Sequence, residues 1–516
     1  MSRARLHAVA IVTALLLLFV APRQTTTAQS ADPLAGFDAF VEGVMKDWNV
    51  PGVAVGAIKD GKVVLAKGYG YRDVDKKLPV TSRTLMAIGS NSKSFTVTLM
   101  GMLSDEGKLD WDKPLRTYLP DFELHDDVAS RLLTPTDLVT HRSGLPRHDQ
   151  MWFVGGFSRT QMYERLRHLE LSAAFRQRYQ YNNLMFMTAG VLIERMTSQT
   201  WDDSIKQKIF APLGMTRSNT SVRDMPSSDD YALPYMARMG RATAVPYRNL
   251  DAIAPAGSIN SSVDDMLKYV QMHIDQGTAG EKQLLSKAFA ARMQSPHSTF
   301  ALSFDADAPV YTEMGPGGYG LGVSVRSYRG HKFVDHSGGI DGFISAMSWM
   351  PHDRIGVVVL TNLSGTNPVP NIVQLNVYER LLGLSLTDHV ARAKEGQLRT
   401  MRQNAEREKK RQDERVTGTS PSRPLAQFAG SYEHPGYGLL SIAEKEGKLT
   451  VTRGSETTTL DHFHYDVFRE AMGPSGGRRM VTFTSGPSGK IETVSIPLEP
   501  AVADIVFKRK PAAAGT

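Results

Sequence analysis

The amino-acid sequence predicts an α/β (α+β) fold, in which an antiparallel sheet flanked by helices carries a helical subdomain and precedes a separate small all-β domain. Strand patterns occur at 52–70 and return after 318, whereas the chain between them reads mainly as helices and loops. Strands so far apart in the chain form one sheet only if the helical middle lies beside it. After residue 425, short strands alternate with glycine-containing turns, which is typical of a small all-β domain.

The first strands form a predicted hairpin, because residues 52–70 read as two apolar runs around the turn pair Asp60-Gly61. A helix is predicted next, between Ser90 and Gly107, since apolar residues recur there at helical spacing and Gly107 suits a helix end. Among the later strands, residues 351–354 are predicted to form the turn of another hairpin. The first domain is thus expected to be bounded by strands on both sides.

A chain of 516 residues is long enough for two or three domains, and changes in composition along it indicate where they lie. We predict a first domain at 35–385, a charged helical linker at 386–424 and the β domain at 425–510. Residues 392–415 hold nine Lys and Arg against five Asp and Glu, a large share of a net charge of only +7. That stretch has no aromatic residue on which bases could stack, so no nucleic-acid partner is expected.

The first thirty residues, 1–30, read as a signal peptide. Arg3 and Arg5 precede the apolar run AVAIVTALLLLFVA, and small residues at Ala28 and Ser30 suit cleavage before Ala31. We expect an exported protein, periplasmic or secreted, with no membrane insertion after cleavage; an uncleaved anchor is the alternative. The chain contains no cysteine, which excludes disulfides, thiol nucleophiles and cysteine metal ligands.

A candidate nucleophile stands at the start of the predicted helix, in the string SNSK at 90–93. Free backbone N–H groups and the helix dipole favour developing negative charge near Ser90. Lys93 lies on the same side of the first turn, and a lysine buried beside a serine can have its pKa lowered enough to act as a base. The alternative is that Ser90 is only a helix cap and Lys93 a solvated side chain.

A second polar cluster precedes a strongly apolar helical pattern, where Tyr181, Asn182 and Asn183 follow one another. In the simplest reading Asn183 caps that helix and Tyr181 belongs to the core. The third cluster ends a predicted strand and reads H-S-G-G, from His336 to Gly339. Consecutive glycines let a ligand approach the backbone closely, although a turn with a half-exposed histidine would look the same.

Taken together, the three clusters resemble the motifs of the serine β-lactamase and penicillin-binding-protein superfamily, and the class C β-lactamase-like branch in particular. S-x-x-K is kept, Y-N-N stands where related enzymes have S-D-N, and H-S-G stands where they have K-T-G. Further phrases such as LTPTDLVTHRSGLP and APAGSINSSVDDMLKYV also resemble that branch. The resemblance covers about 35–385 and implies a β-lactamase/transpeptidase-like fold.

The resemblance also implies roles for the motif residues. Ser90 would attack the carbonyl carbon and become acylated, while Lys93 and Tyr181 would transfer the protons. Because an isolated tyrosine has a pKa near 10, the charge of Lys93 would be needed to favour the phenolate of Tyr181. Asn183 would hydrogen-bond Lys93 and the substrate amide. No metal and no cofactor would be required.

The third motif is expected to bind the substrate through His336, Ser337, Gly338 and Gly339. The resemblance places the oxyanion hole at the backbone N–H groups of Ser90 and Gly339. His336 replaces a lysine of the family pattern; it would hold a carboxylate only when protonated, and when neutral it could still hydrogen-bond Tyr181. This replacement favours esters, or amides without a terminal carboxylate, over β-lactams.

The function expected from these observations is hydrolysis of an amide or ester bond through an acyl-enzyme. A D-alanyl or D-amino-acid peptidase or carboxypeptidase is the first choice, and a carboxylesterase or a weak β-lactamase is the alternative. A non-catalytic binding or sensor relative is a further alternative, although Ser90, Lys93 and Tyr181 are all present. The chain has no H-E-x-x-H and no G-x-S-x-G string.

The C-terminal segment has a likeness of its own. FAGSYEHPGYGLLSIAEKEGKLTV is similar to the lipocalin-like β-barrel module that is often attached to such hydrolases. We expect this domain to cover the mouth of the active site, to mediate assembly into a homo-oligomer, or simply to stabilise the chain. The expected partners are a small peptide, ester or β-lactam substrate.

Overall fold

The computed structural model describes residues 32–238, 240–300, 312–471 and 478–511, so the predicted signal peptide lies outside the described residues. Within them, nine antiparallel strands form the main sheet, in the order β4-β5-β6-β7-β8-β9-β1-β2-β3. In chain order these are Gly52–Lys59 (β1), Lys62–Asp73 (β2), Leu78–Pro79 (β3), Ser298–Thr299 (β4), Gly318–Tyr319 (β5), Ser324–Tyr328 (β6), His331–Ile340 (β7), Phe343–Met350 (β8) and Ile355–Thr361 (β9). Strands from both ends of the domain therefore meet in the middle of one sheet, as predicted.

The longer helices of the described residues lie on both faces of that sheet and beyond it. They are Phe37–Trp48 (α1), Ser92–Asp105 (α2), Asn183–Thr197 (α3), Val263–Ile274 (α4), Val369–Leu381 (α5) and His389–Asp413 (α6). Shorter α-helices span Asp127–Leu132, Pro135–Val139, Gln150–Phe153, Arg159–Arg165, Trp201–Ile205, Ala211–Leu213, Ala254–Gly257 and Lys287–Met293. Most of these short helices form the predicted helical subdomain between β3 and β4.

Short strands complete this region. Met86–Ala87 pairs with Asn260–Ser261, Thr278–Ala279 pairs with Lys282–Gln283, and Tyr235–Arg238 lies between Leu363–Ser364 and Arg241–Ala244. The first of these pairs stands directly before the turn that carries Ser90, and so fixes where α2 begins.

The main sheet is buried on both faces because its central strands carry apolar residues at successive positions. In β1, Val53 and Val55 face the cluster formed with α1 and α5, whereas Ala54 and Ile58 face the cluster that includes α2 and α4. Every residue of β9 is buried. This two-sided burial explains why the central strands read as continuous apolar runs rather than alternating patterns.

The C-terminal strands close into a barrel that follows the linker helix α6. They are Gly430–His434 (β10), Gly438–Lys445 (β11), Lys448–Arg453 (β12), Glu456–His464 (β13), Val467–Glu470 (β14), Met480–Ser485 (β15), Ile491–Ile496 (β16) and Ile505–Arg509 (β17). Inward-facing aromatic residues such as Tyr432, Phe468 and Phe483 are buried. The predicted α/β fold with a separate all-β domain is confirmed.

Among the described residues, no helix has both the length and the apolar character that crossing a bilayer would require.

Candidate active site

The turn that carries Ser90 is held between the sheet and the helical subdomain. A single 3-10 turn, Gly89–Asn91, leads into α2, and Gly89 adopts a φ of 51°, which glycine tolerates at little cost. The side chain of Asn91 donates a hydrogen bond to the Ser345 hydroxyl on β8 at 2.7 Å, and that hydroxyl donates to the carbonyl of Ile88. The turn is thus fixed to the sheet, with Ser90 partly exposed at its tip.

Lys93 is fully buried, and its side-chain nitrogen lies near three oxygen atoms. Nζ lies 3.0 Å from the Ser90 hydroxyl oxygen, 2.7 Å from the Asn183 amide oxygen and 2.8 Å from the carbonyl oxygen of Ala256. Burial holds the pKa of Lys93 well below its usual range, and the charge of Arg147 lowers it further. A neutral amine has two N–H groups for Asn183 and Ala256, so its lone pair faces Ser90.

Asn183 reaches Lys93 because its neighbour caps the helix. The Asn182 side chain accepts a hydrogen bond from the backbone N–H of Met185 at 2.8 Å, so the cap of α3 is Asn182 and not Asn183. Asn183 Nδ2 donates to the Asp149 carboxylate at 2.9 Å. A carboxylate only accepts, so Asp149 determines which end of the Asn183 amide faces Lys93.

Tyr181 lies beside the same lysine. Lys93 Nζ is 4.8 Å from the centroid of the Tyr181 ring, and the guanidinium carbon of Arg147 is 5.0 Å from it. Burial raises the pKa of Tyr181 above its ordinary value, while a hydrogen bond with Ser90 acts in the opposite direction. Burial of the ring therefore favours a neutral Tyr181 in the structure without substrate.

His141 packs against Tyr181, with ring centroids 4.3 Å apart. Its Nδ1 accepts a hydrogen bond from the backbone N–H of Asn182 at 3.0 Å, so the proton of the neutral ring is on Nε2. That buried nitrogen has no hydrogen-bond partner among the described residues. Burial keeps the pKa of His141 well below its usual range, so this ring adds no charge beside Tyr181.

His336 is buried and neutral. Its Nδ1 lies 2.6 Å from the carbonyl oxygen of Ser337, which only accepts, so Nε2 accepts from the Tyr319 hydroxyl at 2.9 Å. Burial lowers the pKa of His336 to about 3, and the charge of Lys93 acts in the same direction. The hydrogen-bond partner of His336 Nε2 is therefore Tyr319 and not Tyr181, the partner that the sequence left open for a neutral histidine; the Tyr181 ring centroid is 6.3 Å away.

Gly338 of the third motif and Gly89 of the turn let β7 lie directly against the Ser90 turn. Beyond Asp335, β7 pairs with β8 alone among the described strands, so its other edge faces the turn. A Cβ on Gly338 would collide with the carbonyl oxygen of Ile88, and a Cβ on Gly89 would lie 2.8 Å from the backbone nitrogen of Gly339. Only glycines permit this approach.

The structure thus brings all predicted site residues to one place and adds four that sequence reasoning missed. Those four are His141, Arg147, Asp149 and Tyr319. Three of them lie in the loop 141–149, where R-H-D follows G-L-P. A dense run of charged residues in a loop was the available local signal, since loops often carry functional residues.

The family described as beta-lactamase matches residues 37–380, two thirds of the chain. The chain belongs to this beta-lactamase family. A second family, described as a domain of unknown function (DUF3471), matches residues 414–509. The predicted superfamily is confirmed, and the protein is a serine hydrolase of the β-lactamase and penicillin-binding-protein superfamily.

Two curated relatives show how far the likeness extends. The unguisins hydrolase ungD′ of Aspergillus campestris is 28% identical, over 93% of this chain and 92% of the fungal protein. The protein flp of Staphylococcus aureus is 24% identical, over 65% of this chain and 64% of its own length. The first likeness includes the barrel as well as the beta-lactamase domain.

Solved structures share the fold. The octameric penicillin-binding protein homologue from Pyrococcus abyssi superposes with a TM-score of 0.60 at 24% identity, covering 92% of this chain and 100% of that one. The D-amino acid amidase from Ochrobactrum anthropi SV3 gives a TM-score of 0.53 at 23% identity, covering 67% of this chain and 97% of its own. Both similarities concern the fold.

Proposed function

We propose that this beta-lactamase-family protein cleaves an amide or ester bond through a covalent acyl-enzyme on Ser90. The observation that carries the proposal is the set of three oxygens around Lys93 Nζ, at 2.7 to 3.0 Å. Two of them accept only, so a neutral lysine satisfies both and directs its lone pair to the Ser90 hydroxyl. A serine becomes an effective nucleophile when such a base removes its proton.

In the proposed reaction, the Ser90 oxygen forms a bond with the substrate carbonyl carbon while its proton moves to Lys93. The backbone N–H groups of Ser90 and Gly339 stabilise the resulting oxyanion. One such donor typically lowers the activation free energy by about 3 kcal/mol. The proton then passes through the neutral hydroxyl of Tyr181 to the leaving amine or alcohol as its bond breaks. Water repeats the sequence on the acyl-enzyme and releases Ser90.

The proposed substrate is a peptide with a D-amino acid at the scissile bond. The neutral, buried His336 supports cleavage of bonds that lack a neighbouring free carboxylate, because it offers no cation to bind one. The D-amino acid amidase that shares this fold makes amides of D-amino acids the first compounds to test. An ester is the second candidate, because an ester likewise needs no cation at His336. A β-lactam, which carries a free carboxylate, is the least favoured.

Labelling with a fluorophosphonate, followed by peptide mapping, tests the acyl-enzyme. The adduct should appear on Ser90 in the wild-type protein and disappear in Ser90→Ala. Ser104→Ala, at the far end of α2, is the matched control and should keep the label. Folded wild-type protein without an adduct on Ser90 would reject this function in favour of a non-catalytic ligand-binding role.

The substrate class is tested by comparing kcat/KM for a D-alanyl peptide amide, a short-chain p-nitrophenyl ester and a cephalosporin. We expect the amide or the ester to exceed the cephalosporin by at least about tenfold. A clear preference for the cephalosporin would show that the neutral His336 does not set the specificity. Export is proposed as well, and N-terminal sequencing of the mature protein should begin at Ala31; a start at residue 1 or 2 would contradict cleavage.

A further inference from the structure

The C-terminal barrel contacts the first domain at His148, which is fully buried. The backbone N–H of His148 donates to the Glu499 carboxylate at 2.7 Å, and its Nδ1 lies 2.8 Å from the Tyr437 hydroxyl. Its Nε2 is 2.9 Å from the carbonyl oxygen of Glu170, which can only accept. The proton is therefore on Nε2, and Tyr437 donates to Nδ1.

The residues on either side of His148 reach into the candidate active site. Arg147 lies over the ring of Tyr181, and Asp149 accepts the hydrogen bond from Asn183 Nδ2. Arg147 and Asp149 also form an ion pair with each other at 2.5 Å. Two hydrogen bonds between His148 and the barrel thus fix the backbone and the side chain of this residue. Its two neighbours, Arg147 and Asp149, contact Tyr181 and Asn183.

The orientation of the Asn183 amide depends on this segment. If Asp149 moves away, the amide loses the acceptor that distinguishes its nitrogen end from its oxygen end. A reversed amide would present N–H groups to Lys93 Nζ, which then loses one of its two acceptors. The barrel is therefore linked to Lys93 by a chain of contacts. It holds His148, the next residue Asp149 bonds Asn183, and Asn183 bonds the Lys93 amine beside Ser90.

We propose that Tyr437 and Glu499 are positioning residues of the reaction, through which the barrel holds the loop 147–149 in the geometry that Lys93 requires. The two domains then share one active site, and the barrel is more than a cover or a stabilising appendage. This inference rests on the proposed acyl-enzyme function. Other interface contacts, such as Arg165 with the carbonyl of Pro435 at 2.5 Å, do not involve His148, so one lost hydroxyl leaves the barrel docked.

The test uses the full-length variants Tyr437→Phe and Glu499→Ala. The measured quantity is the rate at which a p-nitrophenyl ester acylates Ser90. Each variant should lower kcat/KM about tenfold while its thermal unfolding midpoint stays near that of the wild type. Glu499→Gln keeps an oxygen that accepts from the His148 N–H, and should recover most of the rate. Tyr465→Phe and Glu433→Gln, two exposed barrel positions, are the matched controls and should leave the rate unchanged.

A double-mutant cycle separates positioning from general destabilisation. If Tyr437 acts through Asp149, Tyr437→Phe should have little further effect in an Asp149→Ala background, since the route is already broken. Full additivity of the two losses would overturn the inference. So would wild-type rates in both Tyr437→Phe and Glu499→Ala.

A measurement that needs no turnover keeps this inference distinct from the proposed function. The side-chain amide signals of Asn183, assigned by their loss in Asn183→Asp, should shift in Tyr437→Phe and stay in place in Tyr465→Phe. Unchanged Asn183 signals in Tyr437→Phe would reject the coupling whatever the enzyme does. Shifted signals in a protein that never acylates Ser90 would keep the coupling and reject the hydrolase proposal.

Discussion

The side-chain nitrogen of Lys93 lies 2.7 Å from the amide oxygen of Asn183, ninety positions further along the chain. The two residues stand in the first turns of α2 and α3, so the N-termini of both helices meet at the site. Because both side chains are buried, the charge state of the lysine responds directly to what stands at position 183.

The rate of acylation should rise with pH and level off well below the usual pKa of lysine. Lys93 must be neutral to take the Ser90 proton, so activity is present above its folded-state pKa and is lost as the pH falls through it. Asn183→Asp places a carboxylate beside the amine, favours the ammonium form and should move the midpoint to higher pH. Initial rates with a neutral ester between pH 5 and 9 measure this; Asn404→Asp on the exposed face of α6 should leave the midpoint in place. A midpoint that stays put in Asn183→Asp would argue against Lys93 as the base.

Removal of the Asp149 side chain should slow acylation without unfolding the protein. Asp149 accepts hydrogen bonds from Asn183 and from the Trp152 indole, at 2.9 and 2.6 Å. Without the hydrogen bond to Asp149, the Asn183 amide is free to reverse. If this loss raises the activation free energy by the value of one hydrogen bond, about 1 to 1.5 kcal/mol, kcat/KM falls roughly tenfold. Single-turnover rates of Asp149→Ala measure the effect, with the exposed Asp224→Ala as control. An unaltered rate would show that the Asn183 orientation is set elsewhere.

His336→Lys should change selectivity for the substrate terminus. The wild-type histidine is neutral, so a D-alanyl peptide with a free carboxylate should gain nothing over its amide. A lysine cation hydrogen-bonded to that carboxylate would contribute about 1.5 to 3 kcal/mol, which raises the ratio of kcat/KM for acid over amide at least tenfold. His331→Lys, at the outer end of the same strand, should leave the ratio unchanged. Equal ratios in His336→Lys and the wild type would mean that the third motif does not contact the terminus.

Gly338→Ala should damage the site more than Gly339→Ala. The new Cβ at 338 meets the carbonyl oxygen of Ile88, a backbone atom that cannot move without shifting the Ser90 turn. At 339 the nearest atom is Cδ1 of Ile344 at 3.0 Å, the end of a flexible side chain. We expect Gly338→Ala to lower the free energy of unfolding by roughly 1 to 3 kcal/mol and to abolish fluorophosphonate labelling. Thermal unfolding and fluorophosphonate labelling of the two variants, measured together, test whether β7 lies against the Ser90 turn. Equal stability and equal labelling of the two variants would show that it does not.

Much of the fold could be predicted because its signals are local. The hairpin turn at Asp60-Gly61 and the apolar spacing of α2 are each encoded within a few neighbouring residues. The barrel was likewise visible as short strands with glycine turns. Ser90 and Tyr181 were less visible locally, since a helix cap and a core tyrosine would look the same; only the three clusters taken together, through their resemblance to the family motifs, assigned their roles.

The remaining features depend on contacts between distant residues. Two adjacent asparagines, Asn182 and Asn183, are equally good caps, and only the position of His141 and Lys93 decides which one caps α3. Asp149 looks like any loop carboxylate until α3 places Asn183 beside it. No local pattern links Tyr437 to His148, because their contact arises only when the barrel docks on the first domain.

The pairing of β1 with β9 also has a consequence for biosynthesis. Val53 aligns with Thr361, so roughly 300 residues must be synthesised between these two partners before β1 and β9 can pair. At about 5 to 20 residues per second, the turn carrying Ser90 waits on the order of tens of seconds for the strand that carries His336. Until β9 has been made, the edge of β1 that it covers has no partner. The active site can therefore form only after both ends of the first domain have been made, however early its helices form.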